Sequence, residues 1–137
     1  MFVTKSDYLA TLPTFAAFFF GALVLLAIFV VLSSLSTPHR ELRLIREGNL
    51  AVAIGLSGAI IGFVIPLASA IENSINLVDA AVWGSVALAI QIVTFLVARI
   101  LLPTLVREIE AGQLAPAVLV ATISVAVGTL NAACVTY

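Results

Sequence analysis

The chain has 137 residues, 63% of them hydrophobic and 9% charged, with a net charge of −1 and a mean hydropathy of +1.26. About a quarter of a soluble domain is charged, so a water-soluble globule is excluded and lipid is the solvent for the excess apolar surface. The near-neutral balance gives no basic field for nucleic acid, the single Cys134 cannot form an intramolecular disulfide, and the single His39 cannot build a histidine metal site.

The first apolar run, Pro13 to Leu35, contains no charge. It exceeds both the h-region of a signal peptide, about 7–15 residues, and the roughly 20 residues that cross a hydrocarbon core. Lys5 followed by Asp7 is also the wrong flank for a signal, so the run reads as a retained span. Its cluster Phe15, Phe18, Phe19 and Phe20 reads as facing lipid or a neighbouring subunit. The loop "STPHRELRLIREGN" offers Thr37 as N-cap, Pro38 at the first helical position and Gly48 as the stop. Leu42 and Ile45 can dip into the membrane interface while the charges stay wet, and Glu47 sits one turn after Arg43, within reach of a weak pair.

The second run, Leu50 to Ile71, is rich in small residues. Gly55, Gly58, Gly62 and Ser69 share a helical face, and "GAIIG" is a small-xxx-small motif of the kind that packs on protein. Pro66 interrupts this span and frees the carbonyl of Gly62. Glu72, Asn73, Asp79 and Trp83 line the following loop. They read as a solvated turn with an interfacial tryptophan or, by the chemistry of the oxygens, a hard-cation site.

The third run, Ala80 to Leu102, carries Gln91 and Thr94 about one turn apart, and Arg99 near its end, where the side chain can snorkel to the headgroups. Trp83 and Phe95 make it bulky. The loop "LPTLVREIEAGQ" repeats the pattern of the first, with Pro103 at its start and Gly112 at its end. The fourth run, Leu114 to Thr136, presents Thr122, Ala126, Thr129 and Ala133 as its expected packing face, followed by Asn131 and Cys134.

Backbone groups in lipid must be satisfied within the segment, so all four runs are expected to be helices; they are too long and too unalternated for barrel strands. The expected fold is therefore all-α: a polytopic membrane protein of four transmembrane helices, with short interfacial helices in the cytoplasmic loops. Arg40, Arg43, Arg46, Arg99 and Arg107 flank one side and Lys5 the other, which places the short loops in the cytoplasm and both termini outside.

The two halves say nearly the same thing. At an offset of 64 residues Arg43 meets Arg107, Ile45 meets Ile109, Gly48 meets Gly112, Leu50 meets Leu114, Ala51 meets Ala115 and Ala53 meets Ala117. Residues 1–71 and 72–137 then form two copies of a span–loop–span unit in one orientation, related by a pseudo-twofold axis along the membrane normal. Spans two and four meet near that axis through Gly58, Gly62, Pro66, Thr122 and Ala126.

Polar residues inside a membrane are the default functional suspects. Gln91, Thr94, Thr129 and Asn131 form a conceivable polar path if spans three and four adjoin; the competing role is interhelical hydrogen bonding, with Thr129 or Asn131 taking up the slack at the Gly62 carbonyl. Cys134 lacks a basic or histidine partner in sequence, and no catalytic or nucleotide-binding motif occurs. No enzymatic activity, cofactor or metal is expected.

The pieces "TPHRELRLIREGNLAVAI", "GFVIPLASAI", "WGSVALAIQIVTFLVARILLP" and "AVGTLNAACVTY" resemble the bacterial domain-of-unknown-function 350 proteins, also called UPF0719 inner-membrane proteins. The resemblance spans nearly the whole chain and implies a small four-span inner-membrane protein built from two copies of a two-span unit. It supplies no activity. The second copy departs from the first at "PHRE", where it reads "PTLV", so its loop is expected to have lost a contact. Two functions compete: a non-enzymatic oligomeric or accessory subunit of a membrane complex, or a minimal ion or small-solute channel or transporter formed between repeats or subunits.

Overall fold

Side chains cap the starts of three of the four long helices. The computed structural model describes residues 4–33 and 38–135. Among these residues the chain is all-helical: α1 (Lys5–Ser33), α2 (Pro38–Arg46), α3 (Leu50–Asn73), α4 (Leu77–Leu101), α5 (Leu105–Glu110) and α6 (Leu114–Cys134). Helices α1, α3, α4 and α6 are long and apolar enough to cross a membrane.

Caps account for where the expected boundaries shift. Helix α1 begins eight residues before Pro13 because Asp7 accepts from both the backbone N–H and the hydroxyl of Thr4, at 2.8 and 2.7 Å, the half of a capping box that runs back from the first turn. Pro13 therefore lies inside the helix rather than at its start. Helix α4 begins at Leu77 instead of Ala80. Asn76 caps it by accepting from the Asp79 N–H, and Asp79 in turn accepts from the Ile75 N–H at 3.0 Å. Helix α3 runs two residues past Ile71 to Asn73, and α6 ends at Cys134. Thr37, the expected cap of α2, and residues 34, 35 and 136 lie outside the described residues.

The two short helices end in the same motif. Gly48 and Gly112 take φ of 88° and 90°, the left-handed region that costs an L side chain energy. At the first, Asn49 N–H donates to Leu44 O and Gly48 N–H to Ile45 O; at the second, Gln113 N–H donates to Glu108 O and Gly112 N–H to Ile109 O, all at 2.9 to 3.0 Å. This is the Schellman pattern, and it turns the chain at once into α3 or α6. Asn49 then caps α3 through Val52 N–H and donates its amide to the carbonyl of Glu110, tying the two loops together at 2.9 Å.

Helices α3 and α6 form the closest pair. α4 lies along one side of that pair, and α1 packs outermost, on α4 and α3. Phe29, Ala59, Phe63, Leu67 and Ala87 make the apolar core between α1, α3 and α4, with Phe29 stacked on Phe63 at 4.7 Å between ring centroids. Phe29 and Ser33 are the buried residues of α1, whereas Phe15, Phe19 and Phe20 stay exposed on its far side. Helix α4 buries a face of small residues, Ala80, Gly84 and Ala87, together with Gln91, and leaves Trp83 and Phe95 half-buried.

Candidate functional site

The polar groups inside the bundle meet where α3, α4 and α6 cross. A proline has no N–H, so Pro66 leaves the Gly62 carbonyl without its helical donor. Gln91 of α4 fills that place. Its Nε2 donates to Gly62 O at 2.8 Å and to Ser124 O at 3.2 Å, and the side chain is 2% exposed. One amide group thus spends its two donor hydrogens on carbonyls of two different helices. The freed carbonyl is taken up by Gln91 rather than by the Thr129 or Asn131 that the sequence suggested.

The other members of the expected polar path stand apart. Thr94 donates to Ile90 O and Thr129 to Val125 O, each on its own helix, and Thr129 is exposed. Asn131 is buried at 8% exposure, two turns and about 10 Å along α6 from Ser124. Its Nδ2 finds no hydrogen-bond partner. The four residues therefore do not converge: Gln91 works as a clamp, two threonines bond their own helices, and Asn131 sits by itself near the end of α6.

The contact between α3 and α6 is close enough to need glycine. A Cβ added to Gly58 would overlap Ala121, one on Gly62 would overlap the Ser124 carbonyl, and one on Gly128 would overlap the Gly62 carbonyl. So Gly58 and Gly62 do face the partner helix, and Pro66 is buried with them. On α6, by contrast, the touching residues are Ala121, Ser124 and Gly128, not Thr122 and Ala126. Those two are exposed, and Thr122 donates to Val118 O of its own helix. The expected stripe was out of helical phase by about half a turn. The signal that would have found the right one was "SVAVG", a second small-xxx-small motif at Ser124 and Gly128. Ser69 adds an interhelical bond, its hydroxyl donating to Ala132 O at 2.9 Å.

Thr122 and Ala126 instead border an open apolar groove of about 620 Å³ along the side of the α3–α6 pair away from α4, with Ser57, Gly58 and Ala121 in its floor and walls. A second cavity, of about 350 Å³, lies at the loop end of the bundle between α3, α4, α5 and α6. Gly55, Ala59, Phe95 and Val120 give it apolar walls, and Arg99, Arg107, Glu41 and Glu110 also line it. The Arg99 guanidinium lies 5.9 Å from the Phe95 ring centroid, within range of a cation–π contact.

Between α3 and α4, Asp79 holds the cap of α4 and Asn73 donates to Ser69 O at 2.8 Å, while Glu72 is exposed. Among the described residues no group of three or more His, Cys, Asp or Glu side chains gathers to hold a metal ion. Arg43 and Glu47 approach to 3.9 Å on the exposed surface of the first loop, a pair worth at most a few tenths of a kcal/mol.

The family model described as Domain of Unknown Function (DUF350) matches residues 7–135. The inner membrane protein YjfL of the UPF0719 group is 37% identical over 129 residues, covering 94% of this chain and 98% of the relative, both in Escherichia coli K12 and in Escherichia coli O157:H7. No solved structure matches the chain. With the match running across the four long helices and both short ones, the chain belongs to the DUF350 family.

Proposed function

We propose that the chain is a non-enzymatic inner-membrane subunit that works as an oligomer, built from two tandem span–loop–span repeats with both termini outside the cytoplasm. The repeat reading is supported by the matched glycines, whose φ values agree within a few degrees, and by turn hydrogen bonds that recur 64 residues on, position for position. The amphipathic loop helices α2 and α5 then lie at the cytoplasmic interface, where Arg43, Arg46 and Arg107 meet anionic headgroups.

The open groove beside α3 and α6 carries the oligomer reading. In a twofold repeat α1 and α4 are equivalent. Helix α4 seats against both α3 and α6, but α1 packs on α4 and α3. The seat that equivalence would give α1, on the other side of the central pair, is this groove. Its small residues Ala53, Ser57, Gly58, Ala121 and Ala126 admit a helix backbone at short range, and the exposed aromatic α1 of a second copy supplies one.

Cysteine crosslinking in native membranes tests the reading. In a Cys134→Ser background, Ser57→Cys and Thr122→Cys should crosslink to a cysteine on α1 of a second copy, and Val78→Cys, exposed near the start of α4, should not. Monomers throughout, with no crosslinked species at either groove position, would reject it.

A further inference from the structure

We infer that the loop-end cavity is a binding site for one anionic phospholipid, whose phosphate sits between Arg99 and Arg107 and whose acyl chain enters along Gly55 and Ala59. The cavity's volume of about 350 Å³ falls within the ~300–1,000 Å³ usual for small-ligand sites. Its two ends differ chemically: apolar walls toward the bundle, and guanidinium groups toward the loops.

The two guanidiniums are open to an anion although two glutamates share the lining. Glu41 and Glu110 line the cavity too, but each has an interaction of its own. Neither Arg99 nor Arg107 forms an ion pair among the described residues. The repeat supplies an independent reason for this. Arg43, the counterpart of Arg107, has Glu47 one turn on and lies within 3.9 Å of it. At the position matching Glu47 the second copy carries Ala111, so Arg107 lacks that i+4 partner. A guanidinium gives phosphate a planar, two-pronged set of hydrogen bonds, and Phe95 holds Arg99 from behind. A cationic site at the end of apolar helices matches a lipid headgroup better than a free anion, because the apolar walls continue inward where only a chain can follow.

The full chain, purified in non-ionic detergent, can be titrated with phosphatidylglycerol and with phosphatidylethanolamine and read by native mass spectrometry. Wild type should retain one phosphatidylglycerol about tenfold more tightly than the zwitterionic lipid, a difference of about 1.4 kcal/mol. Arg99→Gln with Arg107→Gln should erase that preference, the corresponding pair of lysine substitutions should keep most of it, and Arg43→Gln should leave it intact. Gly55 has open space where a Cβ would stand, so Gly55→Leu should fold normally, fill the apolar end and weaken both lipids. Equal retention of the two lipids by wild type would overturn the site, as would an unchanged preference in the double glutamine variant. So would full displacement by inorganic phosphate with no effect of Gly55→Leu, which would mark a free-anion site. If the double glutamine variant does not fold, Gly55→Leu decides alone: unaltered lipid binding there counts against the cavity.

Discussion

Two buried amides show how differently one functional group can behave in the same bundle. Gln91 has both donor hydrogens engaged, on Gly62 O and Ser124 O, so Gln91→Leu leaves the Gly62 carbonyl, which Pro66 already deprives of its helical donor, without a partner. Interhelical bonds in lipid average about 0.6 kcal/mol each, and an unsatisfied buried acceptor adds to the loss. The expected cost is about 1–2 kcal/mol, readable as a lower unfolding temperature in detergent or as faster steric trapping in bilayers. Asn131 is the opposite case, because its Nδ2 already lacks a partner. From sequence alone its replacement by leucine looks costly, by roughly 1 kcal/mol for a lost interhelical bond. With the amide unpaired, Asn131→Leu is instead expected to be neutral or slightly stabilising, since removing an unsatisfied polar group also removes its desolvation penalty. A loss above about 1 kcal/mol in the same assay would mean that Asn131 bonds to another copy. The Gly62 carbonyl was legible as free, because a proline four residues on is enough to say so. Its partner was not: Gln91 lies 29 residues away on another helix, and only tertiary packing brings it there.

At the scale of the elements, the four spans were readable because lipid removes the alternatives to helix, and the helix type of each long run followed from length and apolarity. The starts of α1 and α4 moved because a side chain formed a cap, as Asn76 and Asp79 do for α4. The signal is an asparagine just before an apolar run with an aspartate three residues on, whereas, read from sequence, Asp79 falls in a solvated turn and Asn76 is passed over. The face of α6 was less legible. Its residues are nearly all apolar or small, so no polar side marks solvent and the helical phase is weakly encoded; Thr122 and Ser124 differ by only two positions. The close approach to α3 resolves it. Gly62→Leu and Gly128→Leu drive a side chain into the opposing backbone and should unfold the α3–α6 pair, a loss of several kcal/mol of the overpacking kind. Gly55→Ala meets nothing within 4 Å and should stabilise α3 by up to about 1 kcal/mol through helix propensity. Tolerance of leucine at Gly62, with helicity and thermal stability unchanged, would contradict the packing described for these two helices.

For the whole molecule, orientation and conduction are the properties that set function. The basic residues lie five to one on the side of the short helices, so a fluorescent-protein fusion after Tyr137 should stay dark and an alkaline-phosphatase fusion there should be active, the reverse pattern inverting the topology. Conduction is a sharper question, because polar residues within spans are what first suggested a path. The bundle assigns them other work. Gln91 is locked to two carbonyls, Thr94 and Thr129 bond their own helices, and Asn131 is about 10 Å away along α6. At the crossing itself, α3 and α6 touch through Gly62 and Gly128 with no room for an added methyl group. An ion crossing the bundle would have to break the Gln91 clamp and force apart a pair of backbones already in contact. Purified protein in liposomes loaded with monovalent or divalent cations is therefore expected to show no flux above empty liposomes. A flux from wild type that is abolished by Asn131→Leu, while elution volume and helicity hold, would establish a path at the α6 end and sink the non-conducting reading. A flux that survives Asn131→Leu but falls with Thr122→Leu would place the path in the groove between copies, where the exposed threonine faces a neighbour and the single bundle stays closed.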